Sequence, residues 1–151
     1  MWKRETLRPP RRGCAGLALE LAGAGRFSSD RVLAEYERTP IGGAATLRGH
    51  DEEAFRVDRA LTTRLEYRWF PGSGGERLSL FWDHAHMLTR DPVVDAFGVT
   101  IGDRAREESA DGIGFGLRLP AAGGLVDLDY GIEPGRGFLD GRIHLRLVSA
   151  F

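Results

Sequence analysis

GIGFGLRLPAAGGLVDLDYGIE, residues 112–133, decides the fold. Its first half alternates strictly: Ile113, Phe115, Leu117 and Leu119 share one side of an extended chain, and Gly112, Gly114, Gly116 and Arg118 share the other. Its second half alternates too, with Val126, Leu128, Tyr130 and Ile132 opposite Asp127, Asp129, Gly131 and Glu133. Between the halves, PAAGG at 120–124 is a tight turn. The stretch therefore predicts a β-hairpin. The same period recurs outward from it. At 142–151, Ile143, Leu145, Leu147 and Phe151 oppose Arg142, His144 and Arg146. At 61–70, Leu61, Leu65, Tyr67 and Trp69 oppose Arg64, Glu66 and Arg68. At 77–88, Leu78, Leu80 and Trp82 oppose Arg77, Ser79 and Asp83, and a weaker run at 15–25 carries Leu17, Leu19 and Leu21. The expectation is an all-β, antiparallel sheet of about six strands.

The connections differ in length. PGSGGE at 71–76 and PAAGG are short, GRGFLDG at 135–141 is longer, and 28–58 and 89–110 are expected as long loops. Alternating short and long connections give a sheet two unequal rims. No repeat or linker divides the chain, so residues 14–151 read as one domain, preceded by a basic segment, 1–13, expected to lack order. That segment does not continue into a convincing signal peptide, because Glu20 interrupts the following apolar run. The 151 residues carry 21 basic and 22 acidic side chains, a balance that gives no support to nucleic-acid binding. The single cysteine, Cys14, excludes an internal disulfide and a multi-cysteine zinc site. No apolar run is long enough for a membrane-spanning helix, which leaves spanning strands open.

Period two does not say which face is inside. A soluble sheet hides its apolar face, whereas a membrane barrel turns that face to lipid and lines a wet interior with charge. Three features favour the second arrangement. The polar face is densely charged in both signs, aromatic residues sit near strand ends (Trp69, Phe70, Trp82, Phe151), and Phe151 is in phase with the apolar face.

Four stretches then point to a family. PIGGAATLRGH at 40–50 has a Gly-Gly pair followed by an aliphatic-Arg-Gly loop tip; RLEYRW at 64–69 follows it as a strand; LSLFWDHA at 78–85 carries Phe-x-Asp; and 112–133 is a Gly-rich strand, turn and strand with a Leu-Asp-Tyr core. From about residue 14 onward the chain resembles the C-terminal barrel portion of the bacterial surface antigen proteins. This is the outer-membrane assembly barrel family that includes BamA, TamA and the two-partner secretion transporters. The resemblance implies the last six strands of a transmembrane barrel of about sixteen. It implies an outer-membrane location, lipid around the barrel, client polypeptides as partners, and neither cofactor nor bond chemistry. The function implied is assembly of barrel proteins or translocation of polypeptide through a lateral seam. Loop 28–58 would fold into the lumen, with Arg48 and Gly49 at its tip bracing against Glu66 and Asp83. Gly42 and Gly43 would let the backbone turn there. Strand 142–151, with Ile143, Leu145, Leu147 and Phe151, would form the seam. The chain departs from the family where His50 replaces the aromatic residue after Arg-Gly. Six strands also fall short of the eight at which natural membrane barrels begin. The expectation is a fragment, half of a split barrel, or a subunit that closes against another copy.

Other constellations carry less. His84 and His86 share one face of a strand and are weak metal candidates that need a third ligand. His144 suits a lumen-lining position. GIGFG opens a strand rather than a helix, so it is not a dinucleotide loop. RAREES at 104–109 reads as a solvated loop. Two alternatives from other classes stay open: a soluble β-barrel or sandwich binding a small apolar ligand, with Leu117, Leu128 and Leu145 lining a dry core, and a His84/His86 metalloenzyme.

Overall fold

The computed structural model describes residues 13–26, 32–72, 74–121 and 124–149. The strands are β1 (Cys14–Gly25), β2 (Thr39–Ile41), β3 (Phe55–Val57), β4 (Arg59–Phe70), β5 (Arg77–Val94), β6 (Thr100–Ala121), β7 (Gly124–Ile132) and β8 (Arg142–Ser149). Among the described residues one short α-helix, α1, covers Gly43–Thr46, and 3₁₀ turns lie at Glu35–Glu37 and Phe138–Asp140. Six strands form one antiparallel sheet in the order β1-β4-β5-β6-β7-β8, and β2 pairs with β3 in a separate small hairpin. Fold class and strand number thus agree with the alternation in the sequence. The sheet is open, with β1 and β8 at its edges. The basic segment 1–12 and Phe151 lie outside the described residues.

The expected loop at 89–110 is instead a long hairpin. β5 and β6 run on to Val94 and Thr100, joined at 95–99, and RAREES is strand, paired from Asp91↔Arg104 to His86↔Ser109. Pro92 disguised it. A proline reads as a strand breaker, but it is tolerated where the missing N–H faces no neighbour. β4 pairs with β5 only as far as Arg59↔Leu88, so the Pro92 stretch of β5 has β6 alone as its sheet partner. Connections 71–76 and 122–123 lie at one rim and 26–58, 95–99 and 133–141 at the other; 26–58 and 133–141 are the long ones, so the two rims are unequal although 95–99 is a tight turn.

The faces are inverted relative to a soluble sheet. Leu17, Leu19, Leu61, Trp69, Leu78, Leu80, Trp82, Phe115, Ile143 and Leu147 are all exposed. Their strand neighbours Glu66, Arg77, Ser79, Asp83, Asp127 and His144 are buried. Leu145 is 72% exposed and Asp129 4%. A dry core of Leu117, Leu128 and Leu145 is therefore not what the sheet builds: Leu128 and Leu145 are exposed, and Leu117 is half-buried on that same outer face.

What covers the inner face is the segment 32–58. Near the short-turn rim the inward positions are charged. Toward the other rim they become small or apolar: Ala60, Ala85, Met87 and Ala110. Ile41, Leu47 and Val57 of the inserted segment pack there, joined by half-buried Phe55. Each buried aliphatic side chain contributes about 1.5–3 kcal/mol, so the segment docks as a unit rather than hanging from its ends.

Candidate functional site

The tip of the inserted segment is shaped by glycine. Gly42, Gly43 and Gly49 have φ of 131°, 77° and 93°, conformations that side chains resist. The Gly42 N–H donates to Thr46 Oγ1 (2.7 Å), whose hydroxyl donates back to the Gly42 carbonyl (2.8 Å). The Ala44 N–H donates to Glu52 Oε1 (2.9 Å), which serves the free amide at the start of α1. This fold-back delivers Leu47 to the apolar part of the inner face and Arg48 to the charged part.

Arg48 is 1% exposed. Its Nε and Nη2 donate to Asp83 Oδ2 and Oδ1, each at 2.7 Å, in a bidentate fork. Nη1 lies 2.8 Å from Glu66 Oε1 and 3.4 Å from Asp129 Oδ2. The Arg48 backbone N–H also donates to Asp83 Oδ2 (3.1 Å), and the guanidinium carbon stands 3.5 Å from the centre of the Phe81 ring. Burial by itself would lower the guanidinium pKa. The hydrogen bond to Asp83 and the charges of Asp83, Glu66 and Asp129 outweigh it and hold the pKa above the ordinary value. Arg48 is therefore a permanent cation. Arg64 joins from the side, with Nη2 donating to the Ala44 carbonyl (2.8 Å) and Nε 3.7 Å from Asp83 Oδ2. Arg68 donates to Glu66 Oε2 (2.7 Å).

A floor of missing side chains lets the tip come this close. Gly112, Gly114, Gly116 and Gly131 all face inward from β6 and β7. A Cβ at Gly112 would fall on the Arg48 carbonyl oxygen, and one at Gly131 on the Gly49 amide nitrogen. At Gly114 it would meet the Phe81 ring, and at Gly116 the Asp129 carboxylate. The glycine alternation that resembles a nucleotide loop is thus a socket for a polypeptide loop. Around it, the Gly49 N–H points at His144 Nε2 (3.4 Å), and His50 Nε2 sits 2.9 Å from the Asp111 carbonyl with its ring 5.4 Å from that of Phe55. Asp51 pairs with Arg142 of β8, and that bond holds its carboxyl below the usual 3.8. At the root, Arg38 lies 3.4 Å from Asp58 and donates to the Arg90 carbonyl (2.9 Å), while the Arg90 N–H donates to Asp58 Oδ2 (2.9 Å).

The structure therefore brings Arg48, Gly49, Glu66 and Asp83 into one cluster. Asp129, Phe81, Arg64 and the glycine floor were not singled out for it from sequence. Alternation alone puts Asp129 on the same face as Glu66 and Asp83. The register across β4 to β7 that makes them neighbours is set by pairing between strands, which no single strand reveals. Ile143, Leu145 and Leu147 line the outer face of β8, at a sheet edge. His84 and His86 also face outward. His84 Nδ1 lies 2.9 Å from Asp111 Oδ1 and its ring stacks on Trp82, while His86 lies 3.1 Å from Ser109 Oγ. Among the described residues no three His, Cys, Asp or Glu side chains gather as a metal site. The Arg48 guanidinium spends all three of its nitrogens on Asp83, Glu66 and Asp129, so the chemistry of the cluster is that of a lock.

Comparison with protein-family models, with curated proteins and with solved structures finds no match to this chain.

Proposed function

We propose that the chain is the C-terminal barrel segment of an outer-membrane pore that assembles barrel proteins or passes polypeptides, and that it performs no bond chemistry. The observation that carries this reading is the inverted sheet: aliphatic and aromatic residues outward, and an ionic interior into which the chain's own loop is locked by Arg48. A sheet of this kind in water would leave a large apolar surface exposed at heavy cost, whereas acyl chains are its natural solvent. The motif resemblance to the bacterial surface antigen proteins points the same way. The unpaired edges of β1 and β8 do not suit lipid alone. In this reading they pair with further strands, from the same polypeptide or from another copy. The β8 edge is the seam, where exposed backbone groups template the strand of a client. The Arg48 lock keeps the loop ordered across the lumen while that seam opens.

The test is fractionation with crosslinking. The protein is expected in the outer-membrane fraction, resistant to urea extraction, and a photo-crosslinker on the β8 edge is expected to capture newly made barrel or secreted chains. Recovery in the soluble fraction without detergent would remove the reading.

A further inference from the structure

The inner face holds a second charged cluster that the Arg48 lock does not use. Arg77, Arg118, Asp127 and Arg146 are register partners in one row across β5, β6, β7 and β8, at the short-turn rim. Arg77 is six residues along β5 from Asp83, roughly 20 Å at the usual strand rise. Three guanidinium groups in this row share one carboxylate. Asp127 accepts from Arg118 Nη2 (2.6 Å) and from Arg146 Nη2 (3.2 Å). Asp127 and Glu66 act on Arg77 through their charge alone, without a direct contact. Arg77 is buried, stands opposite Arg118 in the register, and among the described residues makes neither a hydrogen bond nor an ion pair. Its Nε is buried without a partner, and so is the Nε of Arg146. The next inward row, Arg68–Ser79–Gly116–Asp129, offers one acid, Asp129, which lies 3.4 Å from Arg48 Nη1, and Glu66, one row further in, is held by Arg48 and Arg68.

Two like charges facing each other, one of them buried with an unused donor, destabilise a sheet unless an anion joins them. We propose that the Arg77–Arg118–Arg146 row is a binding site for an oxyanion with two or more oxygens, a carboxylate or a phosphate, gripped by the fork of Arg77. Such a group reaches this row either as a free anion or as the acidic side chains of a polypeptide. The site rests on the row alone and is independent of the pore reading.

The experiment uses the full chain in detergent and compares wild type with Arg77→Gln. Melting is followed in chloride, in inorganic phosphate at matched ionic strength, and with tetraglutamate. Phosphate or tetraglutamate is expected to raise the wild-type Tm by several degrees over chloride. Arg77→Gln is expected to weaken that binding about tenfold, the effect of one lost charged contact. In chloride the variant should melt no lower than wild type, because it removes a repulsion. A merely structural Arg77 would instead make the variant less stable in chloride, which overturns the proposal. An equal response of wild type and variant, or no response of wild type to either anion, overturns it as well. Tetraglutamate binding tighter than phosphate assigns the site to polypeptide carboxylates, and the reverse order assigns it to a free anion.

Discussion

Removing Arg48 should release the inserted segment from the sheet. In Arg48→Ala, three carboxylates converge on an empty place. Asp83 and Asp129 are buried on strands that stay put, and Glu66 keeps only Arg68. Breaking a buried ion pair by deleting one partner costs about 3–5 kcal/mol, because the remaining charge stays desolvated. Against this stands the apolar docking of Ile41, Leu47 and Val57, at about 1.5–3 kcal/mol each before the entropy of ordering the segment is subtracted. The two quantities are similar, so the variant is expected to solve the conflict locally, by undocking the tip and letting water reach the carboxylates. The sheet itself should survive. Limited proteolysis reads this directly: cleavage within 42–58 should become fast while the strands remain resistant, and heat-modifiability on gels should weaken. Arg48→Lys keeps the charge but loses the bidentate fork to Asp83, so its effect should fall between wild type and Ala. A double-mutant cycle with Asp83→Asn isolates the pair, with an expected coupling of about 2 kcal/mol or more. Unchanged proteolysis in Arg48→Ala, or a coupling near zero, would refute the lock.

Three further outcomes follow from the same geometry. Gly112→Ala should undock the tip nearly as well as Arg48→Ala, since its Cβ meets the Arg48 carbonyl, at an expected cost of about 1–3 kcal/mol measured by denaturant unfolding. Leu80→Arg on the outer face should cost about 2–4 kcal/mol when folding is measured into bilayers and far less in an aqueous state, whereas a soluble sheet would be indifferent to the medium. The Asp51–Arg142 contact should be pH-dependent in one direction. The folded-state pKa of Asp51 is lowered, so its stabilisation is fully present above about pH 4 and is lost as the pH falls through the folded value; tip mobility by hydrogen exchange should rise on acidification, and Asp51→Asn should remove that step.

Much of this fold was legible because its strands obey period two and its turns carry glycine and proline. The two alternating sets of residues are visible in the sequence, though not which of them faces inward, and in the sheet it is the charged set that is largely buried. Three things were not legible. The upper half of the β5–β6 hairpin was hidden by Pro92 and by charges that look solvated, although a one-sided strand tolerates both. The change of the inner face from charged to apolar, at Ala85 and Met87, was lost among histidines that face the other way, so the docking surface of the inserted segment went unseen. The fourth member of the lock, Asp129, lies on β7, and its meeting with Arg48 depends on strand register and on glycines 112, 114 and 131 leaving room. Those glycines were visible, but a glycine in a strand signals only that something approaches closely, without saying what.

The most direct measurement is spin-label accessibility along β5 in reconstituted vesicles, in a Cys14→Ser background. Labels placed singly from Arg77 to Trp82 should alternate: high collision with dissolved oxygen at 78, 80 and 82, and low collision at 77, 79 and 81. Alternation of the opposite phase, no alternation, or failure of the chain to enter vesicles would contradict an outward apolar face.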